Sequence, residues 1–326
     1  MRLLPYSFIL PALLASASVL SAAQTDYGSL GVAAPWLSIP SSARGSALGE
    51  AGTVLDGDLG AVGANPAVLA GAKGTQVSMM HNNWVQNVGV EHGAVSTEAG
   101  WLGQVVAGMD YLSLGTVATY SLDASGIPSA SGELRPSATN IFGGLAHRFG
   151  GLVSAGATVK YVMQDFKAFN SAAVAGDLGL LFQRDKSPLV IGISLVDLGE
   201  QLDGADLPLA VRAGLGYTLS LGEVSAGAKA KKALGHPADE VLMLVEAYVP
   251  QADASAATLS LGVEYRVNAQ FAFRGGYKSA NRATLTGFTG LTAGVGLRWA
   301  WAELNYAAVP MGELGLSNQV SLLARF

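Results

Sequence analysis

Hydrophobic and polar residues alternate with a period of two along most of the chain after about residue 75. In Thr258–Val267, every second residue is hydrophobic: Leu259, Leu261, Val263, Tyr265 and Val267. Leu209–Ser220, Val153–Met163 and Leu291–Trp299 alternate in the same way, with Gly, Ser, Thr and isolated charges between the apolar residues. Because successive side chains of a β-strand point to opposite faces, the pattern predicts strands with one apolar and one polar face.

Segments of this kind recur often enough to predict a closed sheet. Fourteen candidate strands lie near 75–81, 87–96, 102–112, 138–149, 152–164, 174–183, 189–197, 208–220, 241–249, 257–267, 269–278, 290–299, 301–308 and 316–326. Short links such as Gly150-Gly151 alternate with longer links such as Ser121–Ser137. An even strand number with alternating short and long links is typical of an up-and-down membrane barrel.

The link Leu221–Glu240 departs from this rule, because a short turn is expected there and about twenty residues are present. We interpret it as a turn with a local excursion, which keeps the count at fourteen. It contains a basic cluster of Lys229, Lys231, Lys232 and His236. A solvated loop is the simplest interpretation of this cluster, and contact with a periplasmic partner or with anionic headgroups is the alternative.

Alternation alone is compatible with a soluble β-sandwich, whose apolar faces form a core, and with an outer-membrane barrel, whose apolar face meets lipid. Two features favour the barrel. The polar faces are rich in small residues, which suits a crowded lumen. Aromatic residues such as Tyr111, Phe149 and Trp299 lie towards the ends of the segments, as in the aromatic girdles of membrane barrels.

The composition supports a membrane barrel and excludes several other classes. The 326 residues are 50% hydrophobic and only 13% charged, with 42 Gly, no Cys and a net charge of -5. The chain is too apolar for a disordered protein, and without Cys it is not a disulfide scaffold or a Cys-ligated metal protein. Its charge balance argues against nucleic acid as a partner. No apolar run of about 18 residues follows the N-terminal region, so transmembrane helices are not expected.

The N-terminus has the pattern of an export signal. Residues 1–23 combine Arg2, an apolar stretch and the small residues Ser21-Ala22-Ala23. This pattern predicts a cleaved secretory signal peptide rather than an anchor helix, and hence export to a Gram-negative outer membrane.

Residues 24–74 lack the alternation that predicts a barrel over residues 75–326. The segment is rich in small residues but also contains seven large apolar ones: Leu48, Val54, Leu55, Leu59, Val62, Val68 and Leu69. A disordered tail would not be so apolar, and small residues permit close packing inside another structure. We therefore predict a plug inside the lumen, whose charges Arg44, Asp56 and Asp58 need partners such as Lys160, Arg212, Glu264 or Arg298.

Several motifs together resemble the PorV/PorQ family of outer-membrane proteins, which is related to the FadL fatty-acid transporters. The matching stretches are Ala43–Gly52, Asp56-Gly57-Asp58, Asn65-Pro66-Ala67, Gly262–Arg266, Arg274–Lys278, Leu304–Gly315 and the last strand up to Phe326. The resemblance implies a plugged fourteen-stranded barrel, with a plug motif formed by Arg44, Gly49, Asp56, Asp58, Asn65, Pro66 and Ala67.

The chain departs from the family pattern around the Asn-Pro-Ala motif. Gly63-Ala64 stand before it where the family usually has an aromatic residue, and Val68 follows where Gly is common. The resemblance also implies two functions, because PorV-like members serve type IX secretion and FadL-like members pass hydrophobic small molecules.

Catalytic motifs are not evident in the sequence. There is no Gly-x-Ser-x-Gly elbow, phosphate-binding Gly-rich loop or His-Glu-x-x-His helix, and none of the four His has another His at metal-binding spacing. We therefore expect no catalytic residues, no metal and no cofactor. An outer-membrane lipid-modifying enzyme is a remote alternative, because serines are abundant and His147 lies in a predicted strand.

The chain ends on Phe326 after an alternating segment. Such an end resembles the signal that the barrel-insertion machinery recognises, so this machinery and outer-membrane lipid are expected partners. The sequence ranks a non-enzymatic PorV/PorQ-type role in protein export or surface attachment first, with exported proteins as cargo. A FadL-type transporter for long-chain fatty acids or other hydrophobic small molecules is a close alternative.

Overall fold

The computed structural model of the protein describes residues 31–85, 88–122, 127–166, 170–185, 187–221, 239–267, 269–279 and 289–326. The signal peptide predicted over residues 1–23 lies outside these ranges. So do most of the excursion predicted within Leu221–Glu240 and all four residues of its basic cluster.

Sixteen β-strands account for most of the described chain. They are β1 Gln76–Asn83, β2 Gly89–Glu98, β3 Gln104–Ser113, β4 Val117–Leu122, β5 Pro128–Leu134, β6 Ser137–Phe149, β7 Val153–Asp165, β8 Asn170–Phe182, β9 Leu189–Gly199, β10 Ala210–Ser220, β11 Glu240–Pro250, β12 Thr258–Val267, β13 Phe271–Lys278, β14 Leu291–Trp299, β15 Ala302–Pro310 and β16 Leu316–Arg325. Six short 3-10 turns and one α-helix, α1 Ala43–Ala47, make up the regular helical structure of the described ranges.

Fourteen of these strands close into one antiparallel barrel. The order around the barrel is β1-β16-β15-β14-β13-β12-β11-β10-β9-β8-β7-β6-β3-β2, so each strand pairs with its neighbours in sequence except where β4 and β5 intervene. The first and last strands pair along their whole length, from Gln76 opposite Arg325 to Asn83 opposite Asn318. The predicted fourteen-stranded barrel is confirmed, and its closure removes the unpaired edges of an open sheet.

The remaining two strands form a hairpin in the region that the sequence analysis treated as a long link between the third and fourth barrel strands. β4 pairs only with β5, in a separate two-stranded sheet. The hairpin leaves the barrel count unchanged, because it begins and ends between β3 and β6, which pair directly with each other.

The alternation of residues maps onto the two faces of the barrel wall. On β12 the outward-facing Leu261 and Val263 are 44% and 49% exposed, whereas the inward-facing Ser260 and Glu264 are 5% and 3% exposed. The outward face carries large apolar side chains on most strands, and the inward face carries small, polar and charged ones. This arrangement matches a barrel whose outer surface meets lipid.

The two ends of the barrel differ. At one end, which we call the turn end, lie Gln76, Arg325 and short links such as those between β6 and β7 or β14 and β15. At the opposite end, the loop end, lie the β4–β5 hairpin and longer links such as that between β9 and β10.

Residues 31–74, which we call the lumenal segment, pack inside the barrel. α1 contacts β13 to β16, and the 3-10 turn Pro66–Gly71 contacts β6 to β8. All seven large apolar residues of the predicted plug are 5% exposed or less. Leu48, Leu55 and Val68, for instance, pack in one cluster with Leu181 and Leu244 of the wall. No helix in the described ranges is long and apolar enough to cross a membrane.

Candidate functional site

The Asn65-Pro66-Ala67 motif attaches the lumenal segment to the β7–β8 wall. Asn65 is fully buried, and its side-chain oxygen accepts a hydrogen bond from the Ala67 amide at 3.0 Å, which begins the 3-10 turn. Its amide nitrogen donates to the carbonyls of Thr53 at 2.9 Å and of Leu180 in β8 at 3.2 Å. One side chain thus joins two parts of the lumenal segment to the barrel wall. We call this group of bonds the asparagine contact.

The wall accommodates the asparagine contact because it has no side chain there. A Cβ atom built on Gly179 of β8 would lie 1.9 Å from the Asn65 side-chain oxygen. A Cβ on Gly156 of β7 would lie 2.5 Å from the Pro66 backbone. Both distances are far shorter than van der Waals contact, so these two inward-facing positions require glycine for the motif to approach the sheet.

A second attachment, on the opposite part of the wall, is made by charges. Arg44 of α1 donates to both carboxylate oxygens of Glu264 in β12, at 2.9 and 3.0 Å, and to Asp58 at 3.0 Å. Glu264 also accepts from Arg266 at 2.9 Å and from Arg274 of β13 at 2.5 Å. The bidentate geometry and the burial of both partners make this a strong, oriented contact.

The network continues across the next strands. Arg274 also reaches Glu303 of β15 at 3.3 Å, and Glu303 accepts from Arg298 of β14 and Arg325 of β16. We call this whole group the arginine cluster. Its members are Arg44, Asp58, Glu264, Arg266, Arg274, Arg298, Glu303 and Arg325.

Arg44 is charged at every accessible pH. Burial disfavours its charged form, but the nearby carboxylates of Glu264 and Asp58 outweigh burial and raise the pKa of Arg44 above its ordinary value. Burial raises the pKa of Asp56, which Arg148 of β6 lowers only in part.

The three charges predicted to need partners are all paired, Arg44 with the expected Glu264 and the two aspartates with residues that were not expected. Arg44 meets Glu264, which was among the expected partners, and it also meets Asp58 of its own segment. Asp56 pairs with Arg148 at 2.7 Å, a residue that the sequence analysis did not consider. Asp58 additionally begins a 3-10 turn by accepting from the Gly60 amide at 3.0 Å.

Gly49 and Glu50 follow α1 and rest against the wall. Gly49 has a φ of 70°, and its amide donates to Thr292 of β14 at 3.0 Å. A Cβ there would lie 2.9 Å from the carbonyls of both Leu261 and Tyr277, so glycine is required by conformation and by space. Glu50, also left-handed at 68°, forms an ion pair with Lys278 of β13.

Two further groups of buried charges line the inner wall. Arg212 of β10 pairs with Glu246 of β11 at 2.7 Å and donates to the Glu50 carbonyl at 3.0 Å. Glu246 in turn accepts from the Thr53 amide at 2.8 Å. The backbone of the lumenal segment is therefore held by an ion pair that belongs to the wall.

The second group lies at an irregularity of the wall. Lys160 of β7 pairs with Asp177 of β8 at 2.8 Å and with Asp197 of β9 at 2.7 Å. Asp197 has a φ of 60°, and the β8–β9 register shifts between Gly176 and Leu178. This bulge brings the Asp197 carboxylate to the lysine, which explains why a non-glycine residue tolerates the left-handed conformation there.

A cavity of about 750 Å³ occupies the loop end of the lumen, above the lumenal segment. Most of its walls are apolar, with contributions from Trp36, Leu112, Phe166, Leu209, Pro250 and Val309. Its polar edge includes Glu50, Arg212 and Lys278. We call it the loop-side cavity. Its volume is in the range of pockets that bind small organic ligands.

Beneath this cavity, a narrow gap lies between the lumenal segment and the wall. The gap has a volume of about 40 Å³ and is lined by Asp110, Asn140 and Lys160 on the wall side. It shares Ile39, Glu50 and Arg212 with the loop-side cavity. Such a space holds a water molecule or two but no organic molecule.

Phe326 lies at the turn end, where the barrel closes. Its amide donates to the Thr75 carbonyl at 2.8 Å, and its carbonyl accepts from the Thr75 amide at 3.1 Å. The ring is 70% exposed on the outer face and stacks on Trp301 with a centroid distance of 5.6 Å. Its position on the outer wall leaves it accessible to lipid or to another protein.

The sequence analysis missed the wall residues that complete these networks: Arg148, Asp177, Asp197, Glu246, Arg274 and Glu303. The sequence did contain a pattern from which some of these residues could have been found. Glu246, Arg274 and Glu303 all occupy inward-facing positions of alternating strands, where a charge needs a partner. In the described ranges, no group of three or more His, Asp or Glu side chains is arranged to hold a metal ion.

Comparison with known proteins places the fold. No family model matches the chain, and neither does any curated protein. Among solved structures, the toluene transporter TodX of Pseudomonas putida aligns with a TM-score of 0.52 and 12% identity, over 87% of this chain and 96% of that one. The monoaromatic hydrocarbon channel CymD aligns with a TM-score of 0.56 and 12% identity, over 88% and 98%. A FadL homologue of Pseudomonas aeruginosa aligns with a TM-score of 0.44 and 12% identity, over 87% and 97%.

The closed fourteen-stranded barrel with a segment folded into its lumen defines the class: an antiparallel β-barrel of the kind found in outer-membrane proteins, with the fold of TodX and CymD. No family model or curated protein confirms the predicted PorV/PorQ resemblance. At 12% identity, the similarities to TodX and CymD show the fold and not the function.

Proposed function

We propose that this protein is a channel through which hydrophobic small molecules cross the outer membrane, with the lumenal segment as its gate. The observation that carries the proposal is the apolar loop-side cavity directly above that segment, with a gap of only about 40 Å³ beneath it. TodX and CymD, which share the fold, are described as a toluene transporter and a monoaromatic hydrocarbon channel. Export by a cleaved signal peptide and insertion guided by Phe326 belong to the same proposal.

The chemistry of the cavity favours apolar ligands. Trp36, Leu112, Phe166 and Val309 offer contact area without hydrogen-bond donors or acceptors that a hydrocarbon would leave unsatisfied, apart from the indole nitrogen. The nearby charges Arg212 and Lys278 are already paired with Glu246 and Glu50. An uncharged ligand therefore binds without breaking an ion pair.

The gating part of the proposal rests on the narrow gap below the cavity. Since a space of about 40 Å³ is too small for an organic molecule, we expect the lumenal segment to move when a ligand passes this gap. The segment is attached by the asparagine contact and the arginine cluster, and Glu50 lies between cavity and gap.

Binding can be tested with N-phenyl-naphthylamine, an uncharged apolar fluorophore, added to the purified barrel and to Gram-negative cells expressing it. We expect saturable fluorescence and faster uptake into expressing cells. Ser260→Trp, which fills the cavity from β12, should weaken binding by at least tenfold. Ala293→Trp on the outer face of β14 is the matched control and should bind normally. Equal binding by both variants would reject the cavity as the ligand site.

Gating can be tested by locking the segment. The Ala43 amide donates to the Ser321 hydroxyl of β16 at 3.2 Å, neither residue lines the loop-side cavity, and the chain has no Cys of its own. Ala43→Cys combined with Ser321→Cys, bridged by a short thiol-reactive cross-linker, should abolish uptake while leaving cavity binding intact. Uptake should return when a cleavable linker is cut. Undiminished uptake in the bridged protein would show that the segment need not move.

A role in protein export or surface attachment is the second candidate, and one observation favours it. The β4–β5 hairpin lies at the loop end and forms its own sheet, with Tyr120 and Val117 of β4 exposed by 67% and 49% and Ile127, just before β5, exposed by 60%. An isolated two-stranded hairpin is marginally stable in water, so such a surface suits contact with another protein. A shuttle should co-purify with exported proteins through this hairpin, and replacing Tyr120 and Ile127 by Ser should abolish that association.

A further inference from the structure

The arginine cluster contains more positive than negative groups. Five guanidinium groups, those of Arg44, Arg266, Arg274, Arg298 and Arg325, share three carboxylates, those of Asp58, Glu264 and Glu303. Glu240 faces Arg266 in the β11–β12 ladder but is exposed and forms no ion pair in the described structure. Charges that are removed from bulk water need compensation, so an excess of this kind favours an additional anion.

The excess is concentrated at one carboxylate oxygen near the turn end. Arg298 of β14 donates to Oε2 of Glu303 at 2.5 Å, and Arg325 of β16 donates to the same atom at 3.3 Å. The other oxygen of Glu303 accepts from Arg274. Two guanidinium groups that share one oxygen are close neighbours and repel each other, unless a further anion lies between them.

Both guanidinium groups are open on the side away from Glu303. The side chains of Arg298 and Arg325 are each 31% exposed, whereas that of Arg274 is fully buried and that of Glu303 is 4% exposed. Nη1 of Arg298 and Nε of Arg325 donate to no group within the described ranges. Planar guanidinium groups with free N–H donors bind oxyanions through paired hydrogen bonds.

The position of the two arginines is fixed by the wall around them. Arg274, which holds the other oxygen of Glu303, lies so close to β14 that a Cβ on Gly296 would be 2.6 Å from its Nη1. Arg274 also donates to Asn305 at 2.7 Å. Glu303 is therefore held from the buried side, and Arg298 and Arg325 are displayed towards the turn end of the lumen.

We propose that Arg298 and Arg325, with Arg266 beside them, form an oxyanion-binding site at the turn end of the lumen. The ligand is a phosphate group, either free in solution or on a lipid headgroup at the barrel rim. The bound phosphate compensates the excess positive charge of the arginine cluster. Because Arg44 belongs to that cluster, the bound anion strengthens the attachment of the lumenal segment. The site does not depend on the proposed transport function, since it is separate from the loop-side cavity.

The test is calorimetric titration of inorganic phosphate into the purified, full-length barrel in phosphatidylcholine nanodiscs, at constant ionic strength set with chloride. We expect saturable binding of one phosphate per barrel. Arg298→Gln and Arg325→Gln should each lower the affinity at least tenfold. Arg184→Gln is the matched control, because Arg184 is an exposed arginine at the same end but outside the cluster. Absence of saturable binding, or equal loss in the control, would overturn the proposal.

Two further measurements complete the test. Nanodiscs that contain phosphatidylglycerol should abolish the phosphate titration if a lipid headgroup fills the site, and should leave it unchanged if free phosphate does. Phosphate should also slow trypsin cleavage after Arg44 severalfold in the wild-type barrel but not in Arg325→Gln. Folding of each variant is checked by its heat-modifiable electrophoretic mobility. The site would be refuted by a folded Arg325→Gln barrel that binds phosphate as the wild type does and in which phosphate slows trypsin cleavage after Arg44 equally well.

Discussion

The lumenal segment is attached to the barrel in two different ways. On β7 and β8, the asparagine contact uses one neutral side chain and the missing side chains of Gly156 and Gly179. On β12 to β16, the arginine cluster uses full charges that are held at hydrogen-bond distance in a buried network. The first attachment depends on shape and the second on electrostatics.

This difference has consequences for how the segment can be released. A close-packed contact is lost over a fraction of an ångström, because dispersion and hydrogen bonding fall steeply with distance. A buried ion pair remains attractive over a longer range, but one unpaired member is very costly. The asparagine contact therefore sets where the segment lies, whereas the arginine cluster sets most of the energy that opposes its release.

The largest expected effect comes from Glu264→Gln, which removes the carboxylate shared by Arg44, Arg266 and Arg274. Leaving buried guanidinium groups unpaired should lower the free energy of opening of the segment by about 3–5 kcal/mol. Trypsin cleavage after Arg44, followed under native conditions, measures this opening. Glu98→Gln, at an exposed position of β2, is the control and should change nothing. If trypsin cleaved Glu264→Gln after Arg44 as slowly as it cleaves the wild type, charge would not be what holds the segment.

A smaller effect is expected from Gly179→Ala. Its methyl group would overlap the Asn65 oxygen, so the segment must shift, at a cost of about 1–3 kcal/mol for overpacking. The Ala67 amide donates a hydrogen bond to the Asn65 side chain, so its hydrogen exchange should become faster when the segment shifts. Gly275→Ala is the matched control, because a Cβ on this outward-facing residue of β13 meets nothing within 4 Å. If both variants exchange alike, close approach is not what positions the motif.

Lys278→Met should have a weaker effect still. Lys278 and Glu50 form an ion pair whose side chains are 17% and 19% exposed, so part of the interaction is screened by solvent. We expect a loss of less than about 1 kcal/mol in the free energy of opening, read from the same trypsin cleavage. If the free energy of opening fell as much as in Glu264→Gln, the main attachment would be the Glu50–Lys278 pair beside the loop-side cavity and not the arginine cluster.

The smallest change is expected from salt. Raising the ionic strength screens exposed charges strongly and buried pairs much less. The opening rate of the wild-type segment should therefore change less than twofold between dilute and about 1 M sodium chloride. A steep dependence on salt would mean that the arginine cluster is hydrated in solution, and the distinction between the two attachments would then disappear.

Much of the fold could be predicted because its cause is local. The period of two in Thr258–Val267 or Leu291–Trp299 directly reflects a wall with an apolar outside and a polar inside. The β4–β5 hairpin escaped prediction as a separate sheet, because alternation shows that a strand exists but not which strand it pairs with.

The partners inside the lumen were harder to predict. Glu264 was expected to meet the charges of the segment and does so, but Asp56 pairs with Arg148. Which inward-facing residue meets Asp56 depends on how the lumenal segment turns within a lumen some tens of ångströms long, which no local pattern encodes. Asp197 is a similar case, since its inward direction depends on the β-bulge in β9.

The pairing of β1 with β16 has a consequence for the order of assembly. The two strands are separated by more than two hundred residues, so the last ladder cannot form until the final strand is available. Contacts of such sequence separation form late and slowly, because the entropy of closing the long loop must be overcome first. The lumenal segment lies inside the finished ring and precedes β1 in the chain. Closure of this ladder therefore completes the wall that surrounds both attachments.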